Sequence, residues 1–79
     1  MTVKLFWKED CPKCPAAKES VLELDGVEYY SLDDPDGLAE AAFYSVMSTP
    51  SLVISGDDGT EVVSFRGEVP SVSELDRWL

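Results

Sequence analysis

Seventy-nine residues, 44% of them hydrophobic, are enough for one small domain spanning 1–79 and leave no length for a second. A formal net charge of −10, with six basic side chains against sixteen acids, argues against nucleic acid as a partner. The N-terminal apolar stretch reaches only Trp7 before Lys8, Glu9 and Asp10, far short of a secretory or membrane-crossing segment, so the expectation is a cytoplasmic protein with no membrane partner.

Thr2 to Trp7 alternates and is rich in β-formers, which predicts a central strand. Lys8-Glu9-Asp10 is the loop that leads into Cys11-Pro12-Lys13-Cys14. A helix is expected from Pro15 to Leu24. Pro12 suits the first helical position and Pro15 the first turn, where backbone donors are unpaired anyway. Cys14, Ala17, Val21 and Leu24 recur on one face, and Asp25-Gly26 ends the helix with a residue free to turn left-handed.

Val27 to Leu32 reads as a second strand, parallel to the first through a βαβ connection, with Tyr29 and Tyr30 on opposite faces. The stretch 33–37 is dense in turn residues. Leu38, Ala41, Ala42 and Val46 then mark a second helix. Ser48-Thr49-Pro50 interrupts before a short β-branched run, Ser51 to Ser55, which reads as a buried third strand. Residues 56–59 signal a hairpin into a fourth strand, Glu61 to Arg66, antiparallel to the third. Pro70 to Leu79 reads as a last helix that buries Val72, Leu75 and Trp78 or Leu79.

Cys11 and Cys14 are the only cysteines, two residues apart at a strand-to-helix junction. That placement reads as a redox dithiol. The positive end of the helix favours the Cys11 thiolate, and the thiolate is the form that attacks a disulfide. Residues 1–18 carry four lysines against two acids, whereas the remainder carries two arginines against fourteen acids. The lysine-rich end is therefore the end that holds the cysteines, and Lys13 beside Cys11 lowers the pKa expected of that thiol. A structural zinc site needs four ligands. With two cysteines and no histidine, such a site would have to be shared between two chains. The acid excess itself reads as solubility or adaptation to high salt.

The order of elements, with Cys11-Pro12-Lys13-Cys14 after the first strand and Thr49-Pro50 before the third, resembles the thioredoxin fold. This is an α/β fold of order β-α-β-α-β-β-α, a four-stranded mixed sheet flanked by three helices. In size the chain is similar to glutaredoxins and to the glutaredoxin-like proteins that reduce ribonucleotide reductase. The resemblance implies a thiol–disulfide oxidoreductase acting on protein disulfides. Cys11 matches the exposed attacking cysteine, Cys14 the buried resolving one, and Pro50 a cis proline beside the dithiol. The backbone of Thr49 would pair with an extended substrate, and Trp7, Lys8, Pro12 and Lys13 complete the candidate substrate-binding residues.

No cofactor beyond the redox-active Cys11–Cys14 disulfide is implied, and no metal. The implied partners are disulfide-containing target proteins and either an upstream reductase of the thioredoxin-reductase type or a low-molecular-weight thiol, with the chain itself a monomer. Leu5 stands where thioredoxins bury an aspartate, and Asp10 where they carry a second tryptophan. Lys8 matches a lysine that meets a glutathione carboxylate in glutaredoxins, but of their Gly-Gly and following aspartate only Gly67 is present. Two other readings stay open: a glutathione-dependent glutaredoxin, which needs only Cys11, and a non-catalytic binding module of the same fold.

Overall fold

The first strand, β1 (Thr2–Trp7), sends alternate side chains to opposite faces. In the computed structural model, which describes residues 1–79, both faces are covered. Val3 and Leu5 enter a cluster with Ala17, Val21, Leu52, Ile54, Phe65 and Leu75. Phe6 enters a second cluster with Ala41, Tyr44, Val46 and Val53. A strand buried on both faces belongs at the centre of a layered α/β structure, and it lies there.

Strand β2 (Glu28–Ser31) runs parallel to β1, with Tyr30 opposite Phe6. Strand β3 (Ser51–Ser55) runs antiparallel on the other side, with Leu52 opposite Leu5, and β4 (Glu61–Arg66) pairs antiparallel with β3. The sheet order is β2-β1-β3-β4. Helices α1 (Cys14–Ser20) and α3 (Val72–Asp76) cover the Val3–Leu5 face through Ala17 and Leu75, and α2 (Pro35–Phe43) covers the Phe6 face through Ala41. The expected order of elements, the mixed four-stranded sheet and the three helices are all present.

The helices are shorter than their apolar spacing suggests. Helix α1 ends at Ser20, not Leu24. The Val21 N–H donates to Lys18 O, Leu22 N–H to Glu19 O and Leu24 N–H to Val21 O, so the chain tightens into three-residue turns. Residues three apart share a face in such turns, so Val21 and Leu24 still reach the core without a continuous α-helix. Pro12 precedes α1 and does not open it, since Lys13 is the N-cap and Pro15 occupies the first turn.

Helix α2 stops at Phe43, before Val46. Ser45 takes a left-handed φ of 57°, Val46 N–H donates to Ala41 O and Ser45 N–H to Ala42 O. This is a paired C-terminal cap in which serine replaces the usual glycine. The side chain of Arg66 reinforces it by donating to the carbonyls of Tyr44 and Ser45. Of the residues whose spacing marks this helix, Leu38 and Ala42 are exposed, and the inward positions of α2 are Gly37 and Ala41. In α3 a capping box between Ser71 and Glu74 sets the start, and of the expected inward residues only Leu75 is buried. A five-residue helix has little more than one turn, so Val72, Trp78 and Leu79 remain exposed.

Lys4 projects from β1 toward α2, where its Nζ donates to Glu40 at 2.6 Å and to Tyr44 Oη at 3.1 Å. Tyr44 in turn donates to the Gly59 carbonyl at 2.9 Å. This network satisfies the one cation placed in the middle of the sheet.

Candidate active site

The C-terminal end of β1 delivers Trp7, and residues 8–10 turn toward α1 (Cys14–Ser20). That loop is tied down by the Glu9 N–H, which donates to the Asp33 carboxylate at 3.0 Å just before α2. Cys11-Pro12-Lys13-Cys14 forms a single turn, with Cys14 N–H donating to Cys11 O at 3.3 Å. Cys14 is the first residue of α1, and the two cysteines are joined as a disulfide with their Cα atoms 5.4 Å apart. A separation in that range suits a disulfide.

Cys11 keeps 8% of its surface and Cys14 only 2%. The expectation of an exposed Cys11 is thus corrected: the residue is nearly covered in the disulfide form, and of the two cysteines it keeps the greater access. Two clefts meet at the disulfide. The smaller, about 180 Å³, is lined by Trp7, Lys8, Glu9, Cys11, Cys14, Pro15 and Lys18. The larger, about 440 Å³, is lined by Lys8, Asp10, Cys11, Pro12, Lys13, Ser48, Thr49 and Gly67.

Five of the six candidate substrate-binding residues line these clefts: Trp7, Lys8, Pro12, Lys13 and Thr49. Pro50 does not. Its peptide bond to Thr49 is cis, but its side chain is fully buried and lines neither cleft. Its place is behind the cleft wall, where its carbonyl accepts from Gly67 N–H at 2.8 Å. Ser51 Oγ adds to this tie by donating to Ser48 O at 2.8 Å and accepting from Gly67 N–H at 3.3 Å. Neither the N–H nor the C=O of Thr49 has a backbone or side-chain partner in the chain, although the residue is half-buried. Backbone groups at such a position are ready for an external strand.

Lys18 is the site residue that reading the motif alone overlooks. It sits one helical turn beyond Cys14, on the same side, which is the signal that locates it. Its Nζ lies 3.5 Å from the centroid of the Trp7 ring, a cation–π contact in the wall of the smaller cleft. Leu5 is fully buried in the apolar cluster, and no carboxylate is among the buried residues. No group of three or more Cys, His, Asp or Glu side chains converges to hold a metal, and no helix is long and apolar enough to cross a membrane. Chemically, the site can pass between a disulfide and a dithiol, with two electrons and two protons exchanged at a pair of sulfurs held one turn apart.

Comparison with known proteins agrees with this description. The whole chain, residues 1–79, matches the model of a family described as a thioredoxin domain. A thioredoxin of Methanocaldococcus jannaschii is 37% identical over 60 residues, which cover 70% of this chain and 71% of that protein. A solved thioredoxin from Thermus thermophilus superposes with a TM-score of 0.69 at 27% identity, over 98% of this chain and 68% of the other. Thioredoxin 1 of Thermosipho africanus gives a TM-score of 0.69 at 20% identity, over 99% and 93% respectively, a likeness of fold.

Proposed function

The chain belongs to the thioredoxin-domain family, and from that premise we propose that it reduces disulfides of protein partners by dithiol exchange. A thioredoxin-like redox function follows from the family and the bonded cysteine pair. The assignment to protein disulfides rests above all on one observation. The larger cleft brings Cys11 together with the unpaired backbone of Thr49, a surface suited to an extended segment of another chain.

In the reduced protein the Cys11 thiolate attacks one sulfur of the target disulfide. The other target sulfur leaves as a thiolate and takes up a proton. Cys14 then loses its proton and attacks Cys11 Sγ. The Cys11–Cys14 disulfide forms, and the second target sulfur is released reduced. Two electrons pass from the protein to the target. Because Leu5 is apolar, the Cys14 proton leaves to water or to a neighbouring acid. An upstream reductase or a low-molecular-weight thiol restores the dithiol. An enzyme disulfide re-formed at each turnover, as in ribonucleotide reductase, is a target of the kind this reading includes. A reducing compartment such as the cytoplasm is where a dithiol of this kind operates.

The test is trapping. A Cys14→Ser variant, incubated with a disulfide-bearing peptide, should accumulate a mixed disulfide on Cys11 that intact mass resolves. A Cys11→Ser variant should trap far less. Equal trapping by the two variants would remove the distinction between the roles, and greater trapping by Cys11→Ser would reverse them. Full turnover of a glutathionylated peptide by Cys14→Ser would replace dithiol exchange with glutathione-dependent chemistry needing Cys11 alone.

A further inference from the structure

Four of the six basic side chains of this acidic protein make no ion pair. Lys4 is paired with Glu40 at 2.6 Å and Arg66 with Glu61 at 2.9 Å. Lys8, Lys13, Lys18 and Arg77 are not paired, although the chain carries sixteen acids. Three of these four line the clefts on the disulfide: Lys18 the smaller, Lys13 the larger, and Lys8 both. The only carboxylates lining the same clefts are Glu9 and Asp10. The reacting sulfur is therefore approached past an excess of unneutralised cations, on a molecule whose other charges are overwhelmingly negative.

Two fields of opposite sign compete at this site. The net charge of −10 repels an anionic partner, and the cleft lysines attract it. Range decides between them. At physiological ionic strength exposed charges are screened over about 8 Å. Lysines lining the cleft that holds Cys11 act within that distance of a bound segment. Much of the acid excess is spread over a molecule 29 × 28 × 18 Å in extent and acts from farther off. The local sign wins for a segment already seated in the clefts, and the lysines favour carboxylates there.

We propose that Lys8, Lys13 and Lys18 make the site selective for protein segments that carry acidic residues on both sides of the disulfide cysteine. This rests on the protein-disulfide reading above. Lys13 and Lys8 lie along the cleft that Thr49 also lines, so they meet one flank of a segment paired there. Lys18, held against Trp7, lines the smaller cleft on the same disulfide, where the other flank of the segment would run.

The experiment uses the reduced full chain and one disulfide-bearing peptide in three forms, with Glu, Gln or Lys on either side of the cysteine. Initial rates at about 0.15 M salt, where that screening length applies, are each divided by the rate with dithiothreitol, which removes the intrinsic reactivity of each peptide. The expected order is Glu, then Gln, then Lys, with about fivefold or more between the ends, the scale of ordinary exposed ion pairs. A K8Q/K13Q/K18Q variant should lose that ratio. Any general change in thiol reactivity cancels within it. Equal normalised rates, or the Lys peptide fastest, would overturn the selectivity while leaving the reductase reading intact. Oxidised glutathione reduced as efficiently as the Glu peptide would overturn the assignment to a protein segment. No reduction of any peptide would overturn the protein-disulfide reading and this inference with it.

Discussion

The environment of Tyr30 holds the proton on its hydroxyl. The hydroxyl donates to Glu28 at 2.6 Å, and the ring is stacked on Phe6 with centroids 5.4 Å apart. The hydrogen bond to Glu28, then burial, then the Glu28 charge push its pKa from 10.0 up to about 12. The folded chain thus holds a proton that the unfolded chain releases first. The contribution is complete below pH 10 and is lost as pH rises from there toward 12. Lys4 adds to the same trend at still higher pH, because its bonds to Glu40 and Tyr44 outweigh the burial that opposes its charge. The urea midpoint of the oxidised protein should therefore fall between about pH 9 and pH 11.5, and that of Tyr30→Phe should fall less. Equal falls would remove Tyr30 from the account. Individual residues were legible in the sequence to the extent that their chemistry is local. Cys11 and Cys14 declare themselves in four consecutive positions. Pro50 does not, because the resemblance to the thioredoxin fold implies a place beside the dithiol but not that its ring is turned inward behind Thr49.

At the scale of elements, Gly37 is the sharpest constraint. It lies in the first turns of α2, packed on β2, where an added Cβ would collide with the backbone carbonyl of Ser31. In the sequence it reads as the last residue of a turn, since glycine after Asp-Pro-Asp carries no sign of close approach. Gly37→Ala must push helix and strand apart or shift the backbone, and should cost about 1–3 kcal/mol, read as a lower urea midpoint. An unchanged midpoint would mean that α2 moves away at no cost. Such a shift would be felt at the site, because the Asp33 carboxylate anchors the loop before Cys11. The helix ends were the least legible features. Apolar residues at 14, 17, 21 and 24 fit an α-helix and equally fit a helix that tightens after Ser20. Spacing does not separate the two.

For the whole molecule, element order was readable because each strand and helix differs in period and each junction carries turn residues. The mixed sheet and the placement of α1 and α3 on one face follow from that order and from the short connections. Charge placement was half readable. The lysine-rich first 18 residues stand out in the sequence, but only the fold shows Lys8, Lys13 and Lys18 left unpaired around one disulfide while Lys4 is consumed by Glu40. The claim on which all this depends is that Cys11 and Cys14 exchange reversibly between dithiol and disulfide. A redox titration in glutathione buffers of defined ratio, quenched by alkylation and read by intact mass, tests it most directly. The expected result is one two-electron transition with a midpoint between about −280 and −180 mV, spanning the range from thioredoxin to protein disulfide isomerase. A pair that stays disulfide-bonded, or stays reduced, across the whole range would contradict it.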